Sequence, residues 1–271
     1  MADVSKSAAE PPVPAPVVAP EVYDEDYFRH GCAGSAEWSA SEGTEMADIY
    51  PGMLRAAGFT AGEVVVDMGT GRGELPVLAA RWGAKEAVGV EYSPAAVRLA
   101  EQTVAAHDVG DRVRVVQADA RAVPLPDGHA DLVLFVDVVE HLAPAELDAA
   151  LRESLRILRP GGRVHIHTFP TKTMYDVTYR LLRTLARRRQ WPADPRNDYE
   201  RQMHVNEQTL TSMTAALSGA GFTRVRVSPG AWAYTDHLPE KWAQRVVRGL
   251  ARFPPTSRFG IADITATGRR P

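Results

Sequence analysis

The sequence has a single cysteine, Cys32, in 271 residues. That excludes a disulfide framework and any zinc site built from cysteines. Lysine is also scarce: of 31 basic residues only 4 are lysine. With so much Ala and Val, the arginine bias fits the codon usage of a GC-rich genome and does not by itself mark a phosphate-binding surface. No run of 18 apolar residues exists, so no membrane span is expected. The N-terminus lacks a basic segment followed by an apolar stretch, so no secretory signal is expected either. A formal net charge of −3 provides no global field for nucleic acid or anionic lipid. A cytoplasmic protein, monomeric or homodimeric, is the expectation. The 45% hydrophobic and 24% charged content is ordinary for a globular chain long enough to bury a sizeable core.

Residues 1–20 hold five Pro and five Ala with almost no large apolar side chains. Such a stretch buries too little surface to offset its ordering entropy, which predicts a disordered tail. Residues 21–60 read as a helical segment rich in aromatics, with Tyr23, Tyr27, Phe28 and Trp38 close together and a helix over 44–57. From 61 onward the pattern alternates. Val64–Val66, Ala87–Val90, Val113–Val116, Leu132–Val136 and Val164–His167 read as strands. Helices are expected over 74–82, from Pro94 with Ser93 as N-cap, and over 144–158, 206–220 and 240–251. Apolar strands separated by helical crossovers demand a parallel sheet covered on both faces. The fold class is therefore α/β, doubly wound and Rossmann-like, completed by strands over 223–227 and 259–267. Residues 171–205, including a helix over 173–188, form an insertion placed to cover a site.

The stretch Val64-Val65-Val66-Asp67-Met68-Gly69-Thr70-Gly71-Arg72-Gly73 carries the most chemistry. Glycines at alternate positions after a strand let a ligand approach the backbone and leave the next helix's N–H groups open. Asp67 at the strand end would repel a dinucleotide pyrophosphate but suits a ligand bearing an ammonium and a sulfonium. Glu91, followed by Tyr92, ends the second strand, where a carboxylate can accept both hydroxyls of a ribose. Asp119-Ala120 follows the third strand, within reach of an adenine amino group. Asp137 to His141 follows the fourth and lines the crevice at the strands' carboxyl ends. Any one of these acids reads as a solvated loop residue, but all of them at strand ends in order read as a nucleoside site.

These residues resemble the class I S-adenosylmethionine-dependent methyltransferases, in the small-molecule branch. The resemblance rests on VVVDMGTGRGE (64–74), VGVEYSP (88–94), QADA (117–120), DLVLFVDVVEHL (131–142) and LRPGGRVHIHT (158–168), in family order and spacing. It implies a seven-stranded sheet whose last strand is antiparallel. It assigns Asp67, Gly69, Thr70, Gly71 and Gly73 to the methionine portion of S-adenosylmethionine, Glu91 to ribose, and Asp119 and Ala120 to adenine, with Tyr92 and Asp137 beside them in the cofactor site. Tyr23 and Tyr27 look like the aromatic segment that such enzymes fold over the cofactor, with a helix packed on the core as the competing reading. The product would be S-adenosylhomocysteine.

Methyl transfer is an in-line displacement, so the enzyme mainly aligns two reactants and excludes water. An alcohol or phenol acceptor also needs a base, and histidine is favoured near neutral pH. His167 on the fifth strand, His141 in the crevice and His204 in Met203-His204-Val205-Asn206 are the candidates, with His204 placed just before a helix capped by Asn206. Asp137-x-x-Glu140-His141 is similar to the E-x-x-E-H pattern that can hold a divalent ion, but Asp at its first position also occurs in branches without metal, and no metal is expected. Arg187-Arg188-Arg189 with Arg180 and Arg183 is a local basic cluster. It reads as a solvated face, with an anionic or carrier-bound acceptor as one alternative and a membrane surface, opposite Tyr175, Tyr179 and Leu182, as another. The expected function is O-methylation of a sugar-type or specialised-metabolite acceptor. N- or C-methylation, and a cofactor-binding protein with other chemistry, stand as rivals. No nucleic-acid substrate is expected.

Overall fold

The computed structural model describes residues 13–185, 191–230, 240–253, 256 and 263–271. Its centre is a seven-stranded sheet of β1 (Val64–Met68), β2 (Glu86–Glu91), β3 (Val113–Gln117), β4 (Ala130–Val136), β5 (Leu158–Thr168), β6 (Thr223–Pro229) and β7 (Ile264–Arg269). The spatial order is β3-β2-β1-β4-β5-β7-β6. The first five strands pair in parallel, and β7 lies antiparallel between β5 and β6. The doubly wound sheet with an antiparallel last strand is thus as expected from the sequence.

Strand periodicity explains the two-faced core. Val66, Met68, Val88, Val90, Val133 and Phe135 point to one face, against α5 (Pro144–Ile157) and α8 (Leu210–Ala220). Val65, Ala87, Leu132 and Leu134 point to the other, against α2 (Ile49–Ala56) and α3 (Glu74–Arg81). Neighbouring positions on each strand are therefore buried alike, which is why these strands read as apolar runs and not as alternating ones. β1 is flanked by β2 and β4, so the chain winds away from it in both directions, and the crevice at that reversal holds the site.

Several boundaries differ from the sequence reading. The helix expected over 44–57 is α2 alone; α1 (Ser35–Ser41) precedes it and ends at Glu42 and Gly43, both at positive φ. Asn206 does not cap α8. Thr209 does, while the Asn206 side chain donates to the Leu142 carbonyl. The helix expected over 173–188 is a π-helical stretch, Met174–Tyr179, running into α6 (Arg180–Leu185). Tyr175 and Tyr179 are buried, so they form no exposed apolar face. Arg187, Arg188 and Arg189 lie outside the described residues. The remaining helices are α4 (Pro94–Ala106), α7 (Asp198–Met203) and α9 (Lys241–Arg252), the last packed through Ala243, Val247 and Ala251 on Met174, Tyr179 and Trp191.

Gly73 joins the glycine loop to α3 at φ +81°, where a Cβ would lie 3.0 Å from the Ala100 Cβ and 3.1 Å from its Cα on α4. Both the left-handed backbone and the helix contact demand glycine. Gly73→Ala is expected to destabilise the chain by about 1–3 kcal/mol, read as a lowered urea midpoint at unchanged m-value.

Candidate active site

The glycine loop is held from an unexpected direction. Arg72, between two glycines, is turned inward and is only 2% exposed. Its Nε and Nη2 donate to Glu74 Oε1 at 3.0 and 2.7 Å. Its remaining N–H groups reach the Phe28 carbonyl (2.6 Å), Cys32 Sγ (2.6 Å), the Ala33 carbonyl (2.7 Å) and the Tyr50 hydroxyl (3.2 Å). One guanidinium therefore ties the N-terminal segment and α2 to the loop. Burial pushes the Cys32 thiol up to about 11, so it stays protonated beside Arg72. Sequence reasoning missed this hub; its one signal was a long cationic side chain inside a glycine loop.

Around the hub the aromatic segment closes over the loop. The Phe28 ring lies 3.5 Å from the position a Cβ would take on Gly71. Tyr23 meets Tyr27 edge-on at 5.7 Å and Tyr92 at a tilt at 5.5 Å, and Ser93 Oγ donates to the Tyr23 carbonyl at 2.7 Å. The disorder expected over 1–20 does not hold for residues 13–20, which are tied to the body of the chain. Val17 N–H donates to Glu146 Oε1 (2.9 Å), the Pro14 carbonyl accepts from Arg121 (2.8 Å) and the Val18 carbonyl from the Tyr92 hydroxyl (3.3 Å). Polar partners distant in sequence hold a strap too poor in apolar side chains to hold itself. Residues 1–12 lie outside the described residues.

Two cavities meet under this cover, of about 670 and 100 Å³. The larger is bounded by Asp67, Gly69, Thr70 and Gly71 on one side and by Asp137, His141, His167 and His204 on the other. The smaller runs along Glu91, Tyr92, Asp119, Ala120 and Tyr23. Tyr27 and Asp137 border both. Gly73 borders neither, being packed beneath α4.

Asp67 is buried with one oxygen accepting from Thr70 Oγ1 at 2.7 Å and the other, Oδ1, without a partner. Burial, only partly offset by the Thr70 hydroxyl and reinforced by Glu91 and Glu74, pushes its carboxyl up to about 7. A buried acceptor lacking a donor suits a ligand ammonium. Glu91 is held by the N–H groups of Gly71, Tyr92 and Ser93 at 3.0, 2.9 and 2.9 Å, which fixes its carboxylate at the end of β2 with lone pairs left for ribose hydroxyls. Asp119 is instead gripped by Arg121 through Nε and Nη2 at 2.9 and 2.7 Å, and Arg121 also reaches Glu146. Asp119 is thus an ion-paired wall of the cavity, and Ala120 lies next to it.

The three candidate bases are sharply different. His167 has Asp137 Oδ1 on Nδ1 at 2.8 Å and Asp263 Oδ2 on Nε2 at 2.9 Å. Carboxylates only accept, so both nitrogens carry protons. Burial alone would lower its pKa, but the two carboxylates outweigh burial and push it up to about 10. An imidazolium without a lone pair cannot take a proton, so the expectation that His167 is the base is corrected: it is a clamp on Asp137. His141 donates to the Met203 carbonyl and accepts the Tyr23 hydroxyl on Nδ1 at 3.0 Å; burial and neighbouring His204 lower it to about 3. His204 is lowered to about 4, chiefly by burial. Its Nδ1 is buried without a partner, and its ring packs edge-on against His141 at 4.8 Å. Both are neutral imidazoles. His204 is set there by Val205 and Asn206, whose N–H groups donate to the Glu140 carbonyl at 3.0 Å. The Glu140 carboxylate is buried, accepts from Thr168 at 2.7 Å and is raised by burial and by Asp137.

Glu140, His141 and His204 present ligand-type atoms all within 4.8 Å of one another, a set that can hold a divalent ion. It differs from the sequence pattern: Asp137 is hydrogen-bonded to His167, and His204 stands in that group. His141 Nδ1 is already taken by Tyr23.

A glycine loop, a strand-end acid and a carboxylate for ribose, all at the reversal of a doubly wound sheet, define a nucleoside-binding α/β protein. Residues 65–162 match the family described as a methyltransferase domain. The chain is 28% identical over 188 residues to the ubiquinone/menaquinone biosynthesis C-methyltransferase of Azotobacter vinelandii, covering 64% of this chain and 70% of that protein. It is 32% identical to the 27-O-demethylrifamycin SV methyltransferase of Amycolatopsis mediterranei over 46% of this chain, which spans only 44% of that relative. Among solved structures, the [4+2]-cyclase SpnF superposes with a TM-score of 0.61 at 18% identity, over 97% of this chain and 99% of that one. Residues 65–162 are thus a methyltransferase domain of the class I S-adenosylmethionine-dependent type, with S-adenosylmethionine as cofactor. The residues present fit that group: Asp67 Oδ1 lacks a donor, and Gly69 stands where a Cβ would strike Val138 at 2.6 Å, at the mouth of both cavities.

Two expectations follow. Arg72→Met leaves Glu74 buried without its cation and is expected to cost about 3–5 kcal/mol of stability in urea denaturation, with a parallel loss of S-adenosylhomocysteine affinity. Because Asp67 titrates at about 7 in the free chain, ammonium binding should strengthen as the pH rises toward and past that value. S-adenosylhomocysteine affinity measured by calorimetry should therefore climb by up to about tenfold per pH unit below it. Asp67→Asn should flatten that profile and weaken binding by about 1–3 kcal/mol; a flat profile in the unaltered chain removes Asp67 from the role.

Proposed function

We propose that the enzyme O-methylates a neutral, hydroxyl-bearing small molecule of the sugar or specialised-metabolite type, with His204 receiving the hydroxyl proton. One observation carries the reading. His204 borders the larger cavity as a neutral imidazole with a buried, unpartnered Nδ1. A buried polar group without a protein partner at a cavity wall is left for a water or a ligand to meet.

When bound, S-adenosylmethionine supplies a methyl group activated on a sulfonium. The chain's own task is alignment and proton handling. Tyr23, Tyr27 and Phe28 exclude water above the loop, while Asp67, Gly69, Thr70, Gly71, Glu91 and Tyr92 fix the donor's position. His204 accepts the acceptor's proton as the new O–C bond forms and the C–S bond breaks. The proton then sits on an imidazolium that Asp137 favours electrostatically. Asp137 is itself held by the His167 imidazolium, so His167 is a positioning residue. His141, fixed between Tyr23 and Met203, sets the edge of the His204 ring.

The acidic side chains Asp67, Asp137, Glu140 and Asp263 around the same cavity favour a neutral acceptor over an anionic or carrier-bound one. The relatives' names cover methylation at carbon, in the Azotobacter protein, and a methyltransferase for a 27-O-demethyl substrate, in the Amycolatopsis one. A proton acceptor at the point of attack supports the O–H reading, but methylation at carbon also sheds a proton, so the position of the transferred methyl is what separates the two.

Transfer of isotope-labelled methyl from S-adenosylmethionine into a metabolite extract, with fragmentation of the product, is the test of the reaction. A labelled methyl on oxygen is expected; label on carbon overturns the proposal. With the acceptor in hand, His204→Ala is expected to lower kcat by about 10²–10⁴-fold while S-adenosylhomocysteine affinity stays unchanged. At saturating cofactor the unaltered enzyme should show no acid limb near the usual histidine pKa, because His204 stays unprotonated down to about 4.

A further inference from the structure

We infer that α9 is an interfacial anchor that docks the enzyme on an anionic lipid surface. Residues 241–253, KWAQRVVRGLARF, contain four basic residues and no acid. On a helix, Lys241, Arg245, Arg248 and Arg252 fall at i, i+4, i+7 and i+11 and form one stripe. Trp242, Val246 and Phe253, the last at the C-cap, fall on the neighbouring stripe, one residue along. The helix buries a third stripe, Ala243, Val247 and Ala251, against Met174, Tyr179 and Trp191. Its core contact is therefore complete without the tryptophan stripe.

That stripe faces outward. Trp242 and Val246 are each 43% exposed and Phe253 is 59% exposed. The segment on which α9 packs adds Val177 and Leu181, both more than half exposed. These five are most of the exposed large apolar side chains among the described residues, and they gather on one unit of the fold. The Trp242 indole N–H donates to Glu240 just ahead of the helix, which leaves the ring's apolar body outward. An apolar stripe headed by Trp, flanked by a basic stripe on a short helix with little net hydrophobicity, matches the chemistry of the headgroup–acyl boundary of an anionic bilayer. The weak global charge of the chain does not oppose this, because attraction to such a surface acts within a Debye length and is set by the local stripe. A nucleic acid would use the arginines but leave the Trp242–Val246–Phe253 stripe in water.

Arg248, on the basic stripe, also borders the larger cavity. Docking through α9 would then bring the cavity to the lipid surface, so that an acceptor partitioned into the bilayer enters directly. This consequence, unlike the docking itself, rests on the acceptor cavity proposed above.

Cosedimentation of the full chain with large vesicles tests the docking without any methyl transfer. The probes are phosphatidylcholine vesicles with about 30 mol% phosphatidylglycerol and vesicles of phosphatidylcholine alone, which differ in the attraction they offer to each basic residue. Binding to the anionic vesicles, weakened by salt, is expected. It should fall more than about tenfold in Lys241→Glu/Arg245→Glu/Arg252→Glu and again in Trp242→Ser/Val246→Ser, with S-adenosylhomocysteine affinity unchanged in both as the check on folding. Absence of vesicle binding by the unaltered chain overturns the inference. Binding that only the charge reversals abolish identifies a polyanion site and overturns it too. Self-association lost in Trp242→Ser/Val246→Ser, without vesicle binding, would assign the stripe to a second copy of this chain.

Discussion

The site depends on a buried ion pair. Arg72 and Glu74 are almost wholly removed from water, a placement that is costly unless every donor is met. Here every donor is met, and the partners come from three separate stretches of chain: the aromatic segment through Phe28, Cys32 and Ala33, α2 through Tyr50, and the start of α3 through Glu74. The pair contributes little net stability as an ion pair. Its effect is to make the position of the N-terminal segment conditional on the glycine loop, so that Phe28 and Tyr27 lie over the cofactor crevice. A ligand entering the crevice therefore meets a cover already ordered, and the ordering cost is not charged to binding.

Burial then divides like residues into unlike roles. His167, His141 and His204 lie within one region, yet one is held as a cation and two are held neutral. The difference lies in what faces each ring. His167 has a carboxylate at each nitrogen, whereas His141 has a phenol and a carbonyl and His204 has neither. In a medium of low dielectric, partners outweigh burial only when they carry charge and lie at hydrogen-bond distance. The same reasoning separates Asp67, kept without a donor, from Asp119, saturated by Arg121.

Much of the fold was legible beforehand. The apolar runs 64–66, 87–90, 132–136 and 164–167 became β1, β2, β4 and β5, because a strand covered on both faces must be apolar at every position. Ser93-Pro94 opened α4, as cap chemistry requires. The segments that depend on distant partners were less legible. The Pro/Ala-rich stretch 13–20 is held by Glu146, Arg121 and Tyr92, none of which its composition reveals. Helix α2 begins five residues later than its periodicity suggested, since Thr44 to Asp48 turn back toward α1.

What the sequence by itself determined is everything governed by local spacing: which stretches are strands, where the glycines permit a ligand to approach, and that acids stand at successive strand ends in one crevice. Those properties follow from backbone periodicity and sterics, which act between neighbours in the chain. Only the tertiary structure decided which histidine carries a proton, that Arg72 points inward, and that Asp263, just before the neighbouring strand β7, closes on His167. Protonation and ion pairing are set by the distance to charge and by the exclusion of water, and both are properties of residues brought together from nearly 100 positions apart.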